Sequence, residues 1–195
     1  MKTIEIQGTS RTIAERSSEQ VKALKAIRRS GSVPCVLYGG GQNYNFQVTN
    51  EGLRKLIYSP DIYAVDLFID GQLHKAVMRE IQFHPVKDNV LHVDFYEVNE
   101  QKPIIMEVPI KLTGLAEGVK SGGKLQQQMR MAKVKAIYTN IPEQIVVDVT
   151  ELKLGKSIKI SDLSFDNLEF ANPQSALVCT VKATRQSAAT AEAEK

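Results

Sequence analysis

Val33-Pro34-Cys35-Val36-Leu37-Tyr38-Gly39-Gly40-Gly41 is the stretch whose reading decides the fold. Side chains alternate across a β-strand, so Val33, Cys35 and Leu37 share one face and Val36 and Tyr38 the other, before the glycines release the chain. Two readings stand open. An aromatic turned toward solvent beside a cluster of arginines fits a nucleic-acid surface, and a barrel strand whose tyrosine caps the core fits the same residues. The glycines do not form a P-loop, because the Gly-Lys-Ser/Thr ending is missing and no helix follows at once. They serve positive φ or close approach of the backbone to a neighbour.

Just upstream, Ser17 or Ser18 caps a helix, Gln20 offers Ser17 a capping-box partner, and Gly31 suits the left-handed residue past the end. The spacing predicts a helix from Ser18 to Arg29. Val21, Ala23, Leu24 and Ile27 fall within one arc, which is expected to pack, while Lys22, Lys25 and Arg29 lie opposite and Arg28 at the border. That cationic side is either a solvated face or a phosphate-binding one. Formal net charge is only +3, so any case for nucleic acid rests on where the charge lies. It is focused: residues 11–38 hold Arg11, Arg16, Lys22, Lys25, Arg28 and Arg29 against Glu15 and Glu19. A second, acid-free run holds Lys120, Lys124, Arg130, Lys133 and Lys135, and its Gly122-Gly123 reads as a surface turn or as a basic loop touching a phosphate backbone.

Downstream, Thr49 or Asn50 starts a short helix with Leu53, Leu56 and Ile57 inward, stopped at Ser59-Pro60. Tyr63–Ile69 and Leu73–Ile81 read as a hairpin joined at Asp70-Gly71, a pair suited to a primed turn. The run Val90–Val98 then puts Leu91, Val93 and Phe95 on one face and His92, Asp94 and Tyr96 on the other. His84, His92 and Asp94 are the one histidine–carboxylate cluster to test as chemistry, as a two-histidine, one-carboxylate iron site or an acid–base pair for RNA cleavage. No carboxylate-rich or cysteine-rich segment supports either, so no metal, cofactor or catalytic residue is expected. Polar contact with base edges or ribose and a plain solvated strand face remain open for this row.

The pattern pauses at Asn99-Glu100-Gln101-Lys102-Pro103, which divides the chain into residues 1–100, 101–185 and a polar tail, 186–195, expected to be disordered. In the second part Ile104, Met106, Val108, Ile110 and Leu112 alternate strictly, and Gly114, Gly118, Gly122 and Gly123 read as a flexible connection. Met131–Tyr138, Ile145–Val149, Ser157–Ile160 and Ala176–Val181 read as further strands. Without a strong helical pattern between them, an antiparallel sandwich or irregular barrel is expected. The fold class is mainly β with a few short helices. The N-terminus reads as mature sequence, apolar runs such as Ile104-Ile105-Met106 are too short to span a bilayer, and Cys35 and Cys179 on core-like positions favour a reducing cytoplasm.

The ordered set Arg11, then Ile27-Arg28-Arg29-x-Gly31-x-Val33-Pro34-x-Val36-Leu37-Tyr38-Gly39-Gly40, Gln82-x-His84-Pro85 and Leu91-His92-Val93-Asp94-Phe95 resembles the bacterial large-subunit ribosomal protein family numbered twenty-five. Gly118-Val119-x-x-Gly122-Gly123 and Ile141-Pro142-Glu143-x-Ile145-x-Val147-Asp148-Val149, then Leu152, Gly155 and Ser157-Ile158, resemble the second domain of its long form, also called general stress protein Ctc. The resemblance implies an N-terminal β-barrel that grips an irregular internal loop of 5S rRNA, a second β-rich domain, and a place in the ribosome among neighbouring large-subunit proteins and rRNA. It implies Arg11, Lys25, Arg28 and Arg29 on phosphates, Tyr38, His92 and Asp94 on sugars or bases, and Arg79 at a matching strand position. Ile13 to Gln20 departs from the family's Gly-Lys turn. No membrane and no small-molecule substrate are implied. The alternatives are a stress-associated protein-binding module working through the second domain, and an enzyme using His84, His92 and Asp94.

Overall fold

The computed structural model describes residues 2–13, 17–99, 101–165 and 168–184. It divides into two units, Met1–Lys102 and Pro103–Lys195. The tail at 186–195 and Ala14, Glu15 and Arg16 of the departing segment lie outside the described residues.

The first unit runs β1 (Lys2–Ser10), α1 (Ser17–Arg29), β2 (Ser32–Tyr38), β3 (Tyr44–Thr49), α2 (Asn50–Tyr58), β4 (Tyr63–Ile69), β5 (Gln72–Phe83) and β6 (Val90–Glu97). These strands close a barrel in the order β1-β3-β2-β6-β5-β4, with β1/β4 and β2/β6 parallel and the other pairs antiparallel. The alternation read from sequence sets what fills it: Val33, Cys35 and Leu37 of β2, Phe46 of β3, Val65 and Leu67 of β4, and Val93 and Phe95 of β6 are buried in one core. Phe46 and Phe95 pack with ring centroids 5.7 Å apart. Such closure leaves no sheet edge to protect.

Local chemistry explains the joints. The Thr49 hydroxyl accepts from the Gly52 amide and caps α2, whose Leu53 and Leu56 enter the barrel core. Asp70 (φ 49) and Gly71 (φ 87) form the two-residue primed turn that fixes Ile69 opposite Gln72. Helix α1 ends where Gly31 takes φ 80.

One expectation for α1 fails. Leu24 and Ile27 are half-buried, but Val21 is 47% exposed and Ala23 is exposed, so the apolar arc does not pack across its width. The closed barrel completes its core without α1, whose main contact is with β2. Periodicity gives the direction of a helix face and not the depth to which it sinks.

The second unit runs β7 (Ile104–Thr113), a one-turn helix α3 (Glu117–Lys120), β8 (Lys124–Gln127), β9 (Met131–Ala136), β10 (Ile145–Asp148), β11 (Ser157–Lys159), β12 (Glu169–Phe170) and β13 (Leu177–Lys182). One sheet has the order β10-β7-β9-β12 and the other β11-β13-β8. Ile104, Met106, Val108 and Ile110 point inward, as their alternation requires. Three expectations are corrected. The unit is not wholly antiparallel, because β10 runs parallel to β7. Two strands stop early, giving way to 3-10 turns at Tyr138–Asn140 and Ile160–Asp162. The glycine-rich connection is built rather than flexible: a Cβ on Gly118 would stand 2.5 Å from the Leu154 amide nitrogen, and the Gly123 amide donates to the Gly118 carbonyl at 2.8 Å.

Candidate nucleic-acid interface

Parallel pairing of β2 with β6 builds the site. Its register sets Val36 beside Asp94 and Tyr38 beside Tyr96, so the outward residues of two strands distant in sequence form one surface. Across β6, Asp94 stands opposite Glu80 and His92 opposite Gln82 of β5. On the other side Val36 pairs with Asn45 of β3, whose carbonyl accepts from the Arg11 amide at 2.8 Å. A single row therefore runs Arg11, Asn45, Val36, Asp94, Glu80 across the outside of the barrel.

Within that surface His92 Nδ1 lies 2.7 Å from Asp94 Oδ1, both side chains about a quarter exposed (23% and 27%). A carboxylate only accepts, so Nδ1 carries the proton and Nε2 of the neutral ring is left as the acceptor. Tyr38 and Tyr96 meet edge to face, centroids 5.8 Å apart and planes at 78°. Burial raises the Tyr38 phenol above its ordinary value and Asp94 adds to this, while Arg79 opposes it. The hydroxyl is thus a neutral donor at physiological pH. Both uses read for the glycines occur. Gly39 takes φ 115, and a Cβ there would stand 2.9 Å from Tyr96 Cε2, so the chain passes directly over that ring.

The cations come from α1 and from the end of β1. Arg28 reaches off the helix and donates through Nε (3.1 Å) and Nη2 (3.0 Å) to the carbonyl of Leu91. That carbonyl is available because the β5–β6 register shifts there, Gln82 facing His92 and Phe83 facing Val90. Arg28 therefore ties α1 to β6 one residue from His92. Arg11 is partly buried, and its Nε is buried with no hydrogen-bond partner. Burial lowers its pKa first; Cys35 opposes this, and the like charge of Arg28 lowers it further. Two guanidinium groups are close enough to repel, with no carboxylate among those causes. Lys25 and Arg29 are exposed on the same helix. Arg79 occupies a bulge in β5 between Met78 and Glu80, within electrostatic reach of Tyr38.

The structure joins His92 to Asp94, Tyr38 to both Asp94 and Arg79, and Arg28 to Arg11 and to the His92 strand. It does not bring His84 into the group. The His84 Nδ1 instead accepts from the amides of Val86 (3.2 Å) and Lys87 (3.3 Å) and caps its own turn. Among the described residues no three His, Cys, Asp or Glu side chains group as metal ligands. Sequence reasoning missed Asn45, Glu80 and Gln82. The alternation of Tyr44-Asn45-Phe46-Gln47-Val48 carries the signal for Asn45, whereas Glu80 and Gln82 depend on a register that the β5 bulge resets.

Two family models match in tandem: the ribosomal L25p family over residues 11–95, and the C-terminal domain of ribosomal protein TL5 over residues 103–185. The chain is 62% identical over 185 residues to large ribosomal subunit protein bL25 of Bacteroides thetaiotaomicron, with 95% of this chain and 94% of the relative covered. The chain belongs to the ribosomal L25p family. The bL25 proteins of Bacteroides fragilis (60% over 185 residues, covering 95% of this chain and 94% of theirs) and Porphyromonas gingivalis (50% over 187 residues, covering 95% of each) are similar over the same span. Its tandem of matched domains is the long form of the L25p family. Membership makes it a structural, non-enzymatic ribosomal protein. No helix among the described residues is long and apolar enough to cross a membrane.

Proposed function

We propose that the barrel unit binds 5S rRNA in the large ribosomal subunit of the cytoplasm, through the outer face of β2, β6 and β5 and the cations of α1. One observation carries this reading: the β2/β6 pairing places an aromatic pair, a carboxylate-held imidazole and a bulged arginine on one surface, and Arg28 clamps a cationic helix at its border. A-form RNA hides its base edges in a deep, narrow major groove, so such a surface suits a distorted internal loop. Arg11, Lys25, Arg28 and Arg29 neutralise phosphates. Tyr38, His92 and Asp94 set register on sugars or bases, with Asp94 accepting from an exocyclic amine and Arg79 lying beside them. The second unit and neighbouring large-subunit proteins and rRNA complete the setting.

A gel shift of the full chain with 5S rRNA across a salt series tests this. Affinity falls with salt in proportion to the phosphates neutralised, so Arg28→Ala with Arg29→Ala lowers the log–log slope by about 2. No binding by the wild type at low salt, or an unchanged slope in the variant, removes the proposal.

A further inference from the structure

Two strand pairs of the second unit, β7–β9 and β8–β13, treat their facing lysines in opposite ways. On the β7–β9 face Glu107 stands directly opposite Lys133 with 3.7 Å between their charged atoms, and Lys135 meets Glu169 at 3.1 Å. On the β8–β13 face Lys124 stands directly opposite Lys182, both exposed. Like charges facing each other across a strand pair destabilise it. Backbone contacts bring segments carrying three more lysines to the same end of the sheet. The Gly118 amide donates to Leu152, and Gly118 has no room for a Cβ against Lys153 and Leu154. The Gly155 amide donates to Val181, and the Val181 amide to Lys156. The turn carrying Lys120 and Gly122 is held to the end of β13 by the Thr184 hydroxyl, which donates to the Gly122 carbonyl at 2.7 Å. Lys120, Lys124, Lys153, Lys156 and Lys182 thus gather at one end of the three-stranded sheet, and none has an ion-pair partner among the described residues. Among the described residues Glu117, whose amide donates to the Thr150 carbonyl, and Glu151 lie on the same connections, both exposed and neither in an ion pair with these lysines. Sequence reading saw only Lys120 and Lys124 of this group; the fold adds the other three.

We infer that this lysine cluster is a second RNA surface, which holds the phosphate backbone of ribosomal RNA other than 5S. Charge complementarity carries the inference: five ammonium groups without an ion-pair partner among the described residues, two of them in register against each other, are relieved by a polyanion. Beside them the outward row of the same sheet offers Gln126, a neutral amide that donates to phosphate or 2′-hydroxyl oxygens, while its cross-strand neighbour Thr180 donates to the Lys156 carbonyl at 3.2 Å. The tight packing of Gly118 and Gly123 fixes the lysine-bearing turn in place, so little ordering cost falls on binding. The inference rests on ribosomal membership and not on the barrel's proposed contact.

The test uses the full chain, a large-subunit rRNA transcript without 5S, and 5S rRNA as a parallel probe. Lys120→Gln, Lys124→Gln and Lys182→Gln are combined in one variant, and Lys133→Gln with Lys135→Gln in a control. The triple variant is expected to lower the log–log salt slope for the large transcript by about 3, with 5S binding unchanged. The control, whose lysines are already matched by glutamates, is expected to leave both unchanged. Thermal unfolding of the triple variant should be no lower than that of the wild type, because one repulsion has been removed. A photo-crosslinking side chain at Lys182 in assembled subunits should label rRNA. An unchanged slope in a folded triple variant, an equal loss in the control, or a crosslink to a protein instead of RNA overturns the inference. Loss of 5S binding by the wild type leaves it intact and removes only the barrel reading.

Discussion

The β2/β6 face and helix α1 supply the two halves of the proposed interface, and they are held in opposite ways. Each strand on the face has a completed core behind it, with Cys35, Leu37, Val93 and Phe95 at or near zero exposure. None of the described residues of helix α1 is fully buried, and its main contact is with β2, with the paired hydrogen bonds from Arg28 to Leu91 of β6 as a tether. In the proposed interface the side chains assigned to bases and sugars therefore stand on the rigid part, while Lys25, Arg28 and Arg29, assigned to phosphates, stand on the loosely mounted part, with Arg11 at the end of β1 the exception. Phosphate contacts position and base contacts specify, so the division matches what each half has to do.

Breaking the rigid half should have the largest effect. Phe95→Ala leaves a cavity in the barrel and is expected to cost about 3–5 kcal/mol of unfolding free energy in denaturant titrations, whereas Leu24→Ala on half-buried α1 should cost well under ~2. Equal losses would erase the contrast. The same core has a pH signature. Burial pushes the Cys35 thiol up to about 12 from an ordinary 9.0. Its folded value is raised, so the stabilisation is complete below pH 9 and lost as pH rises toward 12, at up to about 1.4 kcal/mol per pH unit. Cys35→Ala should flatten that descent in alkaline denaturation curves, while the lysines and tyrosines titrate alike in both proteins.

Smaller effects separate readout from attraction. Tyr38→Ala should weaken 5S rRNA binding by about 1–3 kcal/mol with the salt slope unchanged, as a lost base stack does. Lys25→Ala should instead lower the slope by about 1 and weaken binding alike across RNA sequences. The smallest effect sharpens the tether: Arg28→Ala should speed amide exchange in α1 and leave exchange in β2 and β6 as it was. Faster exchange in all three would show that α1 is part of the barrel's cooperative unit.

Much of this contrast is legible in the sequence, for local reasons. Alternation in Val33–Tyr38 and Val93–Tyr96 gives the inward and outward faces, although Leu91, expected inward, is left out of the core and Val90 enters it across the register shift; Asp70-Gly71 gives a hairpin and its register, and Thr49 gives a helix start. What the sequence hides is non-local. Nothing in either strand says that β2 and β6 pair in parallel, since half the barrel's chain lies between them. The bulge that frees the Leu91 carbonyl and the shallow seating of Val21 are equally silent, because both depend on how the closed barrel turns its strands. In the second unit, the packing of Gly118 against Lys153 and Leu154 involves residues over thirty positions apart, so the glycines read as a flexible connection.

Placing a photo-crosslinking aromatic at Tyr38 in the full chain, mixing it with 5S rRNA and sequencing the crosslinked nucleotides tests the central claim most directly. The account predicts crosslinks confined to an irregular internal loop of 5S rRNA and abolished by Arg28→Ala with Arg29→Ala at moderate salt. Crosslinks scattered over regular helices, or none at all under conditions where the complex forms, would contradict it.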